Sequence, residues 1–281
     1  MPSSSPSSSR TESPRSVQGD GAAGSPPEPD EQGVMPFLDH LEELRWALLK
    51  GGIGVLVTTV LAAIFSQWVV DTLLIGPTRP DFFMYRVMGF QAEELNLLNR
   101  TITGQFFADI GTILVVGMVA GSPVLVYFLW RFIEPALYPE ERAGMRFASA
   151  SATFFFLLGI TFGYLILTPV ALQFFAGYEI SPQIANQFDI ITYFNMVAFW
   201  ALGTGLLFEL PVVVYFLSKV GLLTPDFMRT YRKYALLVVL VIGALLTPPD
   251  PFSQILVAVP LLLLYELSIG VSAYVNRRQA A

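Results

Sequence analysis

The sequence predicts an all-α integral membrane protein: six transmembrane helices, the last two short, in a concave, kinked bundle. Three observations predict it. Of 281 residues, 54% are hydrophobic and only 14% are charged, whereas a soluble domain carries about 25% charged residues. So little charge cannot cover a water-facing surface. The apolar residues are gathered into runs long enough to cross a bilayer as helices. Those runs are continuous rather than alternating, which argues against β-barrel strands.

Taken in order, residues 1–33 are rich in Ser, Pro and Gly and contain no apolar run. Such a segment buries too little surface to offset its ordering entropy, so a disordered cytoplasmic tail is expected. It lacks the apolar stretch of a secretory signal. Residues 34–276 form the expected membrane domain, and 277–281 a short cytoplasmic C-terminus. Residues 35–50 read as an amphipathic helix running into the first span, with Phe37, Leu41, Leu44 and Leu48 on one face. Asp39 and Glu43 are four apart and share another face. Glu42 and Arg45 are spaced for a helical pair worth a few tenths of a kcal/mol.

Apolar segments follow at 51–70, 106–130, 147–170 and 194–217. Pro135 ends the second, and Pro139 is placed to start the next helix, with Glu140 and Glu141 in a first turn that favours negative charge. The fifth segment, 234–246, spans roughly 20 Å as helix, against a hydrocarbon core of about 30 Å. Thr247-Pro248-Pro249-Asp250-Pro251 cannot remain helical. The sixth segment, 252–274, is apolar from Ile255 to Tyr265 and then meets Glu266. A short hairpin that thins the bilayer locally is expected. Pro123, Pro169, Pro211 and Pro260 imply fixed kinks.

Lys and Arg orient the bundle. One set of connections holds eleven: Arg45, Lys50, Arg131, Arg142, Arg146, Lys219, Arg229, Arg232, Lys233, Arg277 and Arg278. The other holds three, Arg79, Arg86 and Arg100. Both termini are therefore expected in the cytoplasm. The large outer loop, 66–105, contains Pro77 and Pro80 and a helical stretch expected near 93–99.

Scarce residues exclude chemistry. With no Cys there are no disulfides, thiolate nucleophiles or Cys-based metal sites. The single histidine, His40, makes no multi-His site, and no helical metal motif such as H-E-x-x-H is present. No cofactor, metal site or catalytic constellation is expected. The net charge of −6 argues against nucleic acid.

Glu209 stands out. It lies ten residues before Lys219, about 15 Å into the fourth span. An ionisable group at that depth costs several kcal/mol unless paired, protonated or hydrated. Pro211 frees the carbonyl of Leu207 nearby. On these residues alone, a proton-coupled transporter of small solutes using Glu209 is one reading, weakened by the lack of an inverted repeat. Thr247 and Gln254, at the outer end of the hairpin, are further polar groups near lipid.

The chain from about 36 to 274 resembles TatC, the multispanning receptor subunit of the twin-arginine translocase. The matching stretches are His40-Leu41-Glu42-Glu43-Leu44-Arg45, then Phe132-Ile133-Glu134-Pro135-Ala136-Leu137-Tyr138 with Glu141-Arg142. Phe208-Glu209-Leu210-Pro211 and Arg232-Lys233-Tyr234 follow. Then come Leu246-Thr247-Pro248-Pro249-Asp250-Pro251-Phe252-Ser253-Gln254 and Leu264-Tyr265-Glu266. Before the second span the pattern departs, with Asp109 in a stretch where the family often carries Pro and Lys. The resemblance implies a non-enzymatic receptor in a prokaryotic cytoplasmic membrane. It would bind paired-arginine signal peptides and support export of folded proteins driven by the proton-motive force. It implies that Glu43 and Glu141 bind the two arginines, that Arg45, Phe132, Leu137 and Tyr138 shape that site, and that Glu209 faces the membrane concavity. Thr247 and Gln254 would meet single-span TatA/TatB-type helices, and the chain would form homo-oligomers within a larger complex. Bidentate guanidinium–carboxylate pairing fits that role, because it suits Arg far better than Lys.

Overall fold

The first helix, α1 (Phe37–Ile64), carries the expected amphipathic start and the first span without a break. Its bilayer-length apolar stretch is Leu41–Ile64, ten residues earlier than the apolar run alone suggests. The computed structural model describes residues 37–89, 91–133, 145–181, 183–184, 186–247 and 251–279. The expected tail, 1–33, lies outside them. Residues 42–281 form one compact unit, and the chain up to 41 is a separate one.

Past α1, α2 (Ser66–Val69) runs into a π-helical turn at Val70–Leu74 and a 3-10 turn at Gly76–Thr78. Helix α3 (Phe83–Met88) stops at Gly89, whose φ of 73° lies in the left-handed region. Helix α4 (Gly104–Ile133) is continuous through Pro123. Helix α5 (Met145–Phe162), a second π turn (Gly163–Leu167) and α6 (Thr168–Gly177) make one membrane crossing. Helices α7 (Ile190–Phe208) and α8 (Leu210–Lys219) make another, broken at Glu209 ahead of Pro211. Short α9 (Pro225–Thr230) leads to α10 (Arg232–Leu246) and α11 (Pro251–Gln279).

Five of these helical stretches are long and apolar enough to cross a bilayer. Helix α10, with 15 residues, is short as expected. Helix α11 is not: it runs 29 residues, and its apolar stretch Ser253–Arg277 is of full length. It continues past Glu266, whose carboxylate meets Arg232 Nη2 at 2.7 Å. The loop between α1 and α4 also differs from expectation. Residues 93–99 are not helical; Leu97 and Leu98 form strand β1, which pairs in parallel with β2 (Phe188–Asp189). Leu95 is buried in the core beside Leu74 and Tyr193, which holds this segment extended. Asp189 then caps α7, accepting from the Thr192 backbone N–H at 3.1 Å. That bond, helped by the Arg100 N–H, holds the Asp189 carboxyl below its ordinary range despite partial desolvation.

Two helix pairs approach through glycine. In α1 against α4, a Cβ on Gly121 would lie 2.7 Å from Val55 Cα, and the Thr58 hydroxyl donates to the Gly117 carbonyl at 2.6 Å. In α5 against α7, a Cβ on Gly159 would lie 2.5 Å from the Thr204 carbonyl oxygen, and the Thr204 hydroxyl donates to the Gly159 carbonyl at 2.8 Å. Lipid supplies no hydrophobic drive between helices, so close backbone approach and hydroxyl–carbonyl bonds hold them. These pairings run antiparallel. Gly51 of α1 therefore lies beside Leu125 in the later part of α4.

The loop that follows α1 is held by tyrosine hydroxyls. Pro77 has no N–H to return to the carbonyl of Leu73, four residues earlier. Tyr164 OH donates to that carbonyl at 2.7 Å. Tyr193 OH donates to the Leu74 carbonyl at 2.5 Å, and Tyr85 OH to the Pro77 carbonyl at 2.7 Å. Tyr193 is 2% exposed, so water cannot replace it. Tyr193→Phe is expected to cost about 1–3 kcal/mol, the penalty of a buried carbonyl left without a donor. Thermal unfolding of the detergent-solubilised protein checks this against Tyr178→Phe, an exposed control. Equal midpoints for the two variants would contradict the capping role.

Candidate functional site

The end of the bundle where α1 starts and α4 and α8 finish gathers Arg45, Arg131 and Lys219. Arg79, Arg86 and Arg100 lie in the loop at the other end. Glu43, in the second turn of α1, sits at the basic end. Its side chain is half-buried, and its Oε2 is buried with no hydrogen-bond partner among the described residues. A carboxylate oxygen so placed favours any donor that can reach it. Glu42 next to it is exposed and accepts from Trp46 Nε1 at 3.5 Å, one helical turn on. The expected Glu42–Arg45 pair is therefore replaced by a contact with Trp46. Arg45 is exposed, and the ion pairs among the described residues are Arg229–Asp226 and Arg232–Glu266.

Phe132 is half-buried in the last turn of α4, at the same end. Leu137, Tyr138 and Glu141, with Glu134 and Glu140, lie outside the described residues. The side chains of Asp39 and His40 do too.

Glu209 occupies the break between α7 and α8. Pro211 cannot donate to the carbonyl of Leu207, and the Glu209 backbone N–H turns to Leu206 O at 3.2 Å. The backbone N–H groups of Val212 and Val213 both return to Glu209 O, at 3.0 Å. The half-buried Glu209 side chain thus projects from an irregular turn rather than from a regular helix. Its neighbour Phe208 is buried and stacks on Phe162, with ring centroids 5.5 Å apart. This packing fixes the break from the α5 side.

At the far end, the Thr247 hydroxyl donates to Gly243 O at 2.9 Å and is buried. Gln254 Nε2 reaches Leu240 O at 3.2 Å. Gln254 thus ties α11 to α10, while the Thr247 bond closes the last turn of α10. The same hairpin is clamped at its other end by Arg232–Glu266 and by Tyr265 OH donating to Met228 O at 2.8 Å. Sequence reasoning did not assign this clamp. Its signal was the i, i+1 pair Tyr265–Glu266 in an otherwise apolar stretch.

The fold and these positions define a polytopic helical membrane protein with an acidic acceptor among basic residues at one end. The family model described as Sec-independent protein translocase protein (TatC) matches residues 39–260. A TatC from Blattabacterium sp. is 34% identical over 264 residues, covering 89% of this chain and 99% of the relative. A TatC from Aquifex aeolicus is 35% identical, covering 87% of this chain and 98% of the relative. A crystal structure of the twin-arginine translocase receptor TatC superposes with a TM-score of 0.65 at 35% identity, covering 83% of this chain and 97% of that one. A second TatC structure, in DDM, gives a TM-score of 0.68.

The chain belongs to the TatC family. It is a multi-pass membrane component of a Sec-independent protein translocase.

Proposed function

We propose that this chain is the receptor subunit of a twin-arginine translocase. It binds the paired arginines of signal peptides through Glu43 and Glu141, with Arg45, Phe132, Leu137 and Tyr138 shaping the site. The observation that carries the reading is the buried Oε2 of Glu43, without a partner among the described residues, in a family-matched segment. Guanidinium groups supply two parallel donors to such a carboxylate, and a lysine ammonium does not. The protein lies in the cytoplasmic membrane of a prokaryote with both termini inside, as the Lys and Arg asymmetry supports. Residues 1–33 are a separate cytoplasmic tail on the membrane domain. Transport of folded proteins is driven by the proton-motive force. The chain works as a homo-oligomer with TatA/TatB-type single-span helices, which meet the hairpin near Thr247 and Gln254. Family membership favours this over a small-solute transporter.

The test is complementation of a translocase-null strain with a folded reporter carrying a twin-arginine signal. Export restored by this chain with its Tat partners supports the proposal, and no export with correct insertion opposes it. The same strain tests Glu209. A neutral group there costs less than a charge at that depth. Glu209→Gln is therefore expected to retain most export, and Glu209→Lys to lose it. Equal loss in both variants would mean that the neutral carboxyl is not the working form.

A further inference from the structure

Helices α10 and α11 are unequal at the basic end of the bundle. Arg232, the first residue of α10, meets Glu266 of α11 at 2.7 Å, and Tyr265 OH reaches Met228 O at 2.8 Å. Helix α11 continues from Glu266 to Arg277, where its apolar stretch ends, about 16 Å further along its axis. Other segments line this overrun. The Ser218 hydroxyl of α8 donates to Ser272 Oγ at 2.8 Å, and Asn276 Nδ2 reaches Leu223 O at 3.5 Å. Helix α8 ends next to that serine, at Lys219. Measured along α11 from Ser272, Arg232 and Lys233 are thus recessed by about 9 Å. Recessed cations are costly in a membrane unless they snorkel or an anion comes in to meet them.

The cations here are not balanced. Arg229 pairs with Asp226 at 3.3 Å, and Arg232 pairs with Glu266. Lys233 is exposed and makes no ion pair among the described residues; its Nζ stands 5.2 Å from the centre of the Tyr234 ring. One positive charge is left over. Beside it runs a row of rings. Phe227 lies 4.5 Å from Tyr231, and Tyr231 lies 5.8 Å from Tyr234, all three exposed. The exposed face of α10 then continues as Leu237, Val238 and Val241. Aromatic rings at the head of an apolar face mark the level of lipid headgroups. A free anion would use the cation and leave the rings and the apolar face uncovered, whereas a phospholipid covers all three.

We propose that the start of α10 holds one phospholipid of net negative charge. Its phosphate lies at Lys233, its glycerol region lies against Tyr231 and Tyr234, and an acyl chain follows Leu237, Val238 and Val241. The lipid balances the uncompensated charge. A headgroup drawn inward there also matches α10, whose 15 residues cover roughly 22 Å against a core of about 30 Å.

The full-length protein, purified and delipidated, is titrated with dioleoyl phosphatidylglycerol or dioleoyl phosphatidylcholine, and bound lipid is counted by native mass spectrometry. The first phosphatidylglycerol should bind about tenfold more tightly than the first phosphatidylcholine, the effect of roughly one basic side chain at a membrane surface. Lys233→Gln should erase that preference, and Lys233→Arg should keep it. Arg86→Gln removes one positive charge at the opposite end of the bundle and should also keep it. Equal binding of both lipids by the native chain would overturn the proposal. So would a preference that survives Lys233→Gln, or one that Arg86→Gln abolishes equally.

Discussion

Replacing Glu43 and Glu141 together with Ala is expected to abolish crosslinking of a twin-arginine signal peptide while the protein still inserts and folds. Each carboxylate, on the proposed reading, accepts charge-assisted hydrogen bonds from one guanidinium. Such bonds are worth about 1.5–3 kcal/mol each. Loss of one carboxylate should therefore weaken binding roughly ten- to a hundredfold, and loss of both considerably more. Glu43 also starts with a buried oxygen that has no donor among the described residues. Removing it should not destabilise the unliganded protein, and the apparent melting temperature should stay within error of wild type. A Lys-Lys signal peptide should bind the native chain poorly, because an ammonium cannot supply the planar fork. The site assignment fails if the double variant crosslinks the native peptide as wild type does.

The second large effect is in the packing of α5 against α7. Gly163→Leu is expected to prevent stable folding, and Gly163→Ala to cost about 1–3 kcal/mol through overpacking. A Cβ on Gly163 would stand 2.5 Å from the Trp200 carbonyl oxygen and 2.9 Å from Ala201 Cα. Both are backbone atoms that cannot turn aside, so the helices must separate. Separation also strains the bond from the Thr204 hydroxyl to Gly159 O, inside a contact where Thr204 is 1% exposed. Gly270 is the control. It is exposed on α11, and an added Cβ there meets nothing within 4 Å. Gly270→Ala should be neutral or slightly stabilising, since Ala loses less backbone entropy in a helix than Gly. Unfolding midpoints in detergent separate the two. Equal midpoints for Gly163→Leu and Gly270→Ala would show that α5 and α7 are not held by close approach.

The apolar runs made the crossings legible, because a helix in lipid must satisfy its backbone internally and turn apolar side chains outward over about 20 residues. The break at Glu209 was legible too, from Pro211. The length of α11 was not. Glu266 reads as a stop until Arg232, 34 residues earlier, is found against it at 2.7 Å. Glu42 was equally ambiguous. Helical spacing offered it Arg45 at i+3 and Trp46 at i+4, and side-chain direction chose Trp46. In the loop after α1, nothing in the sequence said that tyrosines from three separate segments would cap the turn at Pro77.

What the sequence by itself determined is a property of local composition: the all-α membrane class, the crossings, the charge asymmetry between the two ends, and the few carboxylates that insertion does not require. Each follows from transfer energies and periodicities that act within one segment. Which of those polar groups are already satisfied was decided only by the tertiary structure. Glu266, Gln254 and Thr204 find partners on other helices, while one oxygen of Glu43 finds none among the described residues. The cost of a buried polar group is set by what stands opposite it, and that depends on contacts between residues far apart in the chain.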